Sequence, residues 1–207
     1  MIERLIEVCE GEIGVCEPKG DDKYIAHYNK EGKMNFKNDV PWCAIFVTWC
    51  KDKAKIGDDI IPTFASCDLG MEWFKKNSRW EKSRAFGGSY VPKRGDIIFF
   101  SSKYAENDST HVGIVTSVSG NAVSTIEGNS SNKVRRRSYS VASKYIIGYG
   151  VPEYEKEYDT YTVKEGDSLW KIAKNKLGNG ARYPEIMKIN DMDDAKIYPG
   201  EELLMPL

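Results

Sequence analysis

Apolar residues recur at helical intervals where the chain begins: Ile2, Leu5, Ile6, Cys9 and Ile13 share one face. This spacing predicts an amphipathic helix with Cys9 as core filler, broken by "PKGDD" at 18–22. Residues 23–40 are polar, rich in Lys and Asn and poorly periodic; they read as loop, with His27 exposed on it. Pro41 then precedes an apolar run, and 43–55 reads as a buried helix, since a proline just before a helix sacrifices no hydrogen bond. A third helix is expected over 66–77, with Ser66 as its cap. After that the period changes. "PKRGDIIFF" (92–100) is a turn and a continuous apolar strand, 111–118 and 122–129 form a hairpin, and "RRRSYSV" and "YIIGYGV" are further strands. Helices first and strands later predict an α+β domain with a mostly antiparallel sheet.

A charged stretch without an apolar stripe, "PEYEKEYDT", follows and reads as a linker, placed at 152–158 between a domain at 1–151 and a second unit at 159–207. In that unit "YTV" is a short strand. A helix capped by Asp167 or Ser168 carries Leu169, Ile172, Ala173 and Leu177 on one face and stops at Gly178. "YPEIMKIN" is a second helix, Tyr198 to Glu201 suit a type II turn through Pro199 and Gly200, and "ELLMP" closes as a strand. The prediction is a small βααβ module.

Composition changes this picture little. With 207 residues and a formal net charge of −1, a basic surface for nucleic acid is not implied, and "KVRRR" at 133–137 reads as a solvated face. Nothing approaches the roughly 20 apolar residues of a membrane span. The acidic, charge-interrupted start lacks the features of a secretory signal. The expectation is a monomer made in the cytoplasm without a signal peptide, with no membrane insertion.

The candidate chemistry lies in "PWCAIFVTWC" (41–50). The odd number of cysteines, five, argues against a closed disulfide framework, and their spacing against a zinc site; no metal and no cofactor is expected. Seven residues along a helix separate Cys43 from Cys50 by roughly 10 Å, too far for a disulfide. Cys50 reads as core, and Cys16 and Cys67 sit near helix ends without a recognisable partner. Cys43 falls in the first turn of its helix, where free N–H groups and the helix dipole favour a thiolate.

A cysteine nucleophile needs a base, and His111 opens an apolar strand. On the other strand of the hairpin Glu127 and Asn129 share a face. If the turn is the three residues Ser119 to Asn121, Gly113 pairs with Glu127 and His111 with Asn129, and all three polar groups share a face. A two-residue turn puts His111 on the opposite face. The catalytic reading therefore requires an odd loop or a bulge that corrects the parity, and Gly113 and Gly128 are expected to leave room for a substrate chain.

"PWCAIFVTWC", "GDIIFF", "HVGIV" and "TIEGNSSNKVRRRSY", in this order, resemble the CHAP family of cysteine- and histidine-dependent amidohydrolases/peptidases. "YTVKEGDSLWKIA", "YPEIMKIN" and "IYPGEELLMP" resemble a LysM module. The resemblance implies a papain-like catalytic domain and a peptidoglycan hydrolase, either an N-acetylmuramoyl-L-alanine amidase or a peptide-crosslink endopeptidase. It implies Cys43 and His111 as the catalytic pair, with Glu127 or Asn129 orienting the imidazole. It also implies that the module binds N-acetylglucosamine-containing glycan through Gly166, Asp167, Ser168 and Leu169 after its first strand and the loop from Asn190 to Ile197. Asp21 and Asp22 lack the alternating carboxylates of the calcium loop some members carry. Wall-lytic chemistry without an export signal suggests endolysin-like release. The alternative reading is a non-catalytic wall-binding protein with a degenerate hydrolase domain.

Overall fold

The computed structural model describes residues 1–16, 23–32, 34–37, 40–154 and 158–206. Asp21 and Asp22 lie outside the described residues. The chain divides into two compact units, Met1–Tyr154 and Glu155–Leu207.

The first unit is helices packed on antiparallel strands, the α+β arrangement the order of elements predicts. Its helices are α1 (Ile2–Gly11), α2 (Lys23–Gly32), α3 (Cys43–Lys53) and α4 (Cys67–Lys76). Its strands are β1 (Trp80–Lys82), β2 (Ile97–Phe100), β3 (His111–Ser119), β4 (Ala122–Glu127), β5 (Arg135–Ser140) and β6 (Ile146–Gly150). They form one six-stranded sheet in the order β1-β6-β2-β3-β4-β5, with every pairing antiparallel. Strand alternation divides the apolar residues: Ile97, Phe99, Val112, Ile114 and Ile126 join the helices, and Ile98, Phe100, Val115 and Val123 join a second cluster. Helix α3 is buried almost all round, as a helix with no polar stripe must be, so it forms the centre of the core.

Three expectations are corrected. Residues 23–32 are helical: Tyr24 and Ile25 are fully buried, and Tyr28 packs against the core one turn later. A stripe of three apolar residues among lysines and asparagines is too short to show as a period. His27 therefore lies on α2, half-buried, with Nε2 2.8 Å from Asp52 Oδ2 of α3. Ile13 falls beyond the end of α1 and is exposed, with Gly14 turning the chain at φ +91°. Ser66 occupies the N-cap position of α4, but its side chain makes no capping bond. In addition, Pro152 and Tyr154, in the stretch read as linker, are buried, and the Tyr154 hydroxyl donates to the Gly95 carbonyl.

The hairpin β3–β4 meets the parity requirement through a bulge. Ser119 pairs with Ala122, so the turn is the two residues Gly120 and Asn121. Ser117 pairs with Ser124 but Val115 with Thr125, leaving Thr116 as the extra residue. From there the register runs Ile114 to Ile126, which sets Gly113 opposite Glu127 and restores His111 to the face that carries Glu127. The bulge is tied down: the Thr116 carbonyl accepts from Arg94 NH1 at 2.6 Å, and the same guanidinium grips both carboxylate oxygens of Glu3.

The second unit is built from β7 (Tyr158–Thr162), α5 (Leu169–Lys176), α6 (Tyr183–Ile189) and β8 (Glu202–Pro206), with β7 and β8 paired antiparallel. Val163, Leu169, Ile172, Ala173, Ile186, Leu203 and Met205 form its core, giving the predicted βααβ module. Gly200 at φ +90° and the bond from Glu201 N–H to the Tyr198 carbonyl fit the type II turn.

Candidate functional site

Cys43 is the first residue of α3, and no side chain caps that helix. The N–H groups of its first turn are therefore left to whatever enters the space before them. The helix tip is pressed against the end of the hairpin. A Cβ added at Gly128 would sit 2.4 Å from Phe46 Cβ and 2.9 Å from the Trp42 ring. A Cβ added at Gly113 would sit 2.6 Å from Glu127 Cγ. The two glycines thus admit protein, not substrate as expected: one lets α3 approach the sheet, and the other lets the Glu127 side chain cross it.

Glu127 is almost wholly buried, and every donor it meets is placed by the sheet. His111 Nε2 lies 2.9 Å from its Oε2, Thr125 Oγ1 donates to its Oε1 at 2.6 Å, and the Tyr139 hydroxyl donates to Oε2 at 3.2 Å. A buried carboxylate is tolerable only when it is satisfied in this way. The imidazole also rests against the Phe100 ring, 5.8 Å between centroids. With Nε2 engaged by Glu127, Nδ1 is the nitrogen left to interact with the Cys43 sulfur.

The electrostatics of the pair follow. The Cys43 thiol is held well below the usual range: the largest cause is a hydrogen bond from Cys67, opposed by burial and reinforced by the hydrogen bond and charge of His111 and by the Val112 N–H. Burial acts against a charged imidazole, yet the bonds and charges of Cys43 and Glu127 outweigh it and push His111 up to about 9. Both directions favour a thiolate beside an imidazolium.

Asn129 does not join this cluster. It sits just past β4 in the left-handed region, φ 55°, a conformation asparagine tolerates, and its side chain has no hydrogen-bond partner among the described residues. Cys67 does join it, its sulfur 3.6 Å from that of Cys43. The cleft in front of the sulfurs has a volume of about 240 Å³ and is lined by Phe36, Val40, Pro41, Ile45 and Ala65 with Ser66, Ser109 and Thr110. Trp42 is stacked on Tyr24 inside the core, and Tyr104 packs with Tyr145 on the surface, so neither lines this cleft.

In the second unit, Gly166 turns the chain at φ +80°, and Asp167 accepts from the Tyr161 hydroxyl and the Lys164 N–H, both at 2.8 Å. Ser168 caps α5 by accepting from Lys171 N–H at 3.3 Å. Leu169 is buried, and Asn190 is bonded to the Ile186 carbonyl and to both backbone groups of Leu204. The side chains of these last two hold the module together, leaving backbone groups for a ligand. Ile197 packs half-buried against the same core. Just beyond the β7–β8 pairing, Val163 N–H donates to the Glu201 carbonyl and Gly200 N–H donates to the Val163 carbonyl.

A CHAP-domain family model matches residues 35–129, and a LysM-domain model matches residues 161–206. The chain carries a CHAP domain followed by a LysM domain. Among solved structures, the CHAP–LysM chain is similar to crystal structures of Ly7917, alone and with the hydrolyzing product of MDP. Identities are 18% and 17%, TM-scores 0.44 and 0.43, and each covers 79% of this chain and 66% of that chain. The chain thus spans just under two thirds of the length of those structures. A MoCVNH3 variant in complex with (N-GlcNAc)4 is similar over 44% of this chain and 58% of that chain, at 17% identity and a TM-score of 0.21. Comparison with curated protein sequences found no match.

Within the CHAP domain the sequence names Cys43, His111 and Glu127, which the fold brings together, and Asn129, which lies just past β4 and makes no hydrogen bond with them. It misses Cys67, Thr125 and Tyr139. Thr125 was legible, two residues before Glu127 and so on its face. Cys67, like Cys43, directly follows the start signal of a helix. Tyr139 required the β4–β5 register, which pairs it with Val123. Among the described residues no cluster of His, Cys, Asp and Glu suits a metal ion, and no helix is long and apolar enough to cross a membrane.

Proposed function

We propose that this protein is a peptidoglycan hydrolase that cleaves an amide bond of the wall peptide by cysteine nucleophilic catalysis, held on the glycan by its LysM domain. The pairing of a CHAP domain with a LysM domain supports a cell-wall hydrolase with glycan binding. What carries the cysteine mechanism is one observation: the Cys43 sulfur, at an uncapped helix tip facing a cleft, is favoured as a thiolate by the neighbouring His111 imidazole, whose Nε2 is fixed by buried Glu127.

In this reading the Cys43 thiolate attacks the amide carbonyl, and the S–C bond forms as the carbonyl oxygen takes up negative charge. The backbone N–H groups of the first turn of α3, including that of Cys43, stabilise that oxyanion. The His111 imidazolium gives its Nδ1 proton to the leaving amine, and the C–N bond breaks to leave a thioester. Neutral His111 then takes a proton from water, whose oxygen attacks the thioester and releases the acid and the thiolate. In this reading Glu127, bonded to Nε2, orients the ring and favours its charged form, a role for which Asn129 is the alternative.

The test is digestion of purified peptidoglycan by the full-length protein. The expected result is new amino groups without new reducing sugar ends. Mass spectrometry of the fragments then names the bond: a freed lactyl-muramic end marks the amidase, and a cut between peptide residues marks the endopeptidase. Reducing ends without amines would overturn the reading, as would no release.

A further inference from the structure

The mechanism above uses one sulfur of the two that share the cleft. Cys43 and Cys67 are each the first residue of a helix, α3 and α4, and the two helix starts converge so that the sulfurs stand 3.6 Å apart. Both side chains line the same cleft, so a small solute that reaches one reaches the other. The remaining cysteines are placed differently: Cys9 and Cys50 are wholly buried, and Cys16 is exposed.

We propose that Cys43 and Cys67 form a redox-active dithiol, in which Cys67 resolves the sulfenic acid that a hydroperoxide makes of Cys43. The Cys43 thiolate attacks one peroxide oxygen; the S–O bond forms, the O–O bond breaks, and hydroxide leaves to be protonated to water. Two electrons pass from the Cys43 sulfur to the peroxide. The Cys67 sulfur then attacks the Cys43 sulfur; the S–S bond forms, the S–O bond breaks, and hydroxide departs with the Cys67 proton as a second water. The sulfurs close from 3.6 Å to a bond of about 2.05 Å, a shift of about 1.5 Å.

The order of steps fits the local charges. While Cys43 is a thiolate, Cys67 donates a hydrogen bond to it, and that bond, with burial, raises the Cys67 thiol far above its usual range, keeping it protonated. Oxidation of Cys43 to the neutral sulfenic acid removes the anion that held the Cys67 proton. Without a resolving thiol a cleft-facing sulfenic acid goes on to sulfinic acid, which thiols do not reverse. With one, it stops at a disulfide that a thiol reductant reopens. The device switches the hydrolase off and preserves its nucleophile.

This proposal rests on the thiolate character assigned to Cys43 above, but its readout is the chemistry of the protein itself and does not require wall hydrolysis. Full-length Cys16→Ser protein, freed of its exposed thiol, is treated with hydrogen peroxide and analysed by intact mass and peptide mapping. The expected product has lost two hydrogens and contains a Cys43–Cys67 cross-linked peptide, with Cys9 and Cys50 still reduced. Dithiothreitol returns nearly all of the free Cys43 thiol. With Cys67→Ala added, Cys43 accumulates as sulfinic acid and dithiothreitol recovers little. Sulfinic acid at Cys43 in the presence of Cys67, or equal recovery with and without Cys67, would overturn the proposal. The first of these needs no Cys67 variant. A reduced protein that forms the cross-link but digests no wall would instead refute the hydrolase reading and leave this one standing.

Discussion

Replacing Cys43 with alanine is expected to lower amine release from peptidoglycan by about 10⁴-fold or more, the scale seen when a nucleophile is removed from a catalytic triad. The substitution is mild for the fold. Alanine is the best helix former, so the first turn of α3 is retained, and the site already borders a cleft that can take up the lost volume. Serine is expected to be nearly as inactive. The pair works because a thiol with a depressed pKa is ionised by its neighbour, and a hydroxyl in the same place is not. The measurement is initial amine release by wild-type, Cys43→Ala and Cys43→Ser proteins with matched melting temperatures. Residual activity within tenfold of wild type in the alanine protein would show that another group does the chemistry.

The second large effect falls on Glu127. Glutamine there keeps the shape and an acceptor for His111 but removes the charge, and activity is expected to fall by about 10²- to 10⁴-fold. The sign of the pH change is fixed by the geometry. Activity needs the imidazolium, so it declines as pH rises through the His111 pKa, about 9 in the wild type. Loss of the anion disfavours the charged ring, so this alkaline limb moves to lower pH in Glu127→Gln. The amide also meets two hydroxyl donors, Thr125 and Tyr139, with one oxygen where the carboxylate had two, which loosens the ring further. Asn129→Gly is the matched control. It deletes the side chain while easing the left-handed backbone at φ 55°, and it is expected to stay within about threefold of wild type with its pH profile unmoved. Equal losses at both positions would return the orienting role to Asn129.

Much of this arrangement is legible in the residues because the signals are local. The buried helix after Pro41 and the start of the hairpin at His111 follow from periods of 3.6 and 2; the shared face read for Glu127 and Asn129 does not, because β4 ends at Glu127 and Asn129 lies beyond it in the left-handed region. What could not be read depends on register and approach. The need for corrected parity was visible, but the choice between a three-residue turn and a bulge was not. The bulge at Thr116 is held by Arg94, which lies on a different segment, and its pairing with Glu3 joins residues 91 positions apart. The roles of Gly113 and Gly128 are hidden for the same reason: only the folded chain shows that Glu127 and Phe46 already occupy the space beside them. Helix α2 was hidden because its short apolar stripe gains its meaning from Trp42 and Phe46, against which Tyr24 packs. The pairing of Cys67 with Cys43 is not legible, because a cysteine's partner across 24 residues leaves no trace in spacing.

The central claim is that Cys43 is ionised at neutral pH because Cys67 donates to its sulfur and a charged His111 lies beside it. The most direct test is the pH dependence of iodoacetamide alkylation, followed on the Cys43-bearing peptide of the full-length Cys16→Ser protein. A depressed Cys43 predicts a rate already at its plateau near pH 7 that falls only in distinctly acidic solution, and a shift of that fall toward alkaline pH in His111→Ala. A rate that climbs through neutrality with the midpoint of an ordinary thiol, about 8.5, and is indifferent to His111 would contradict it.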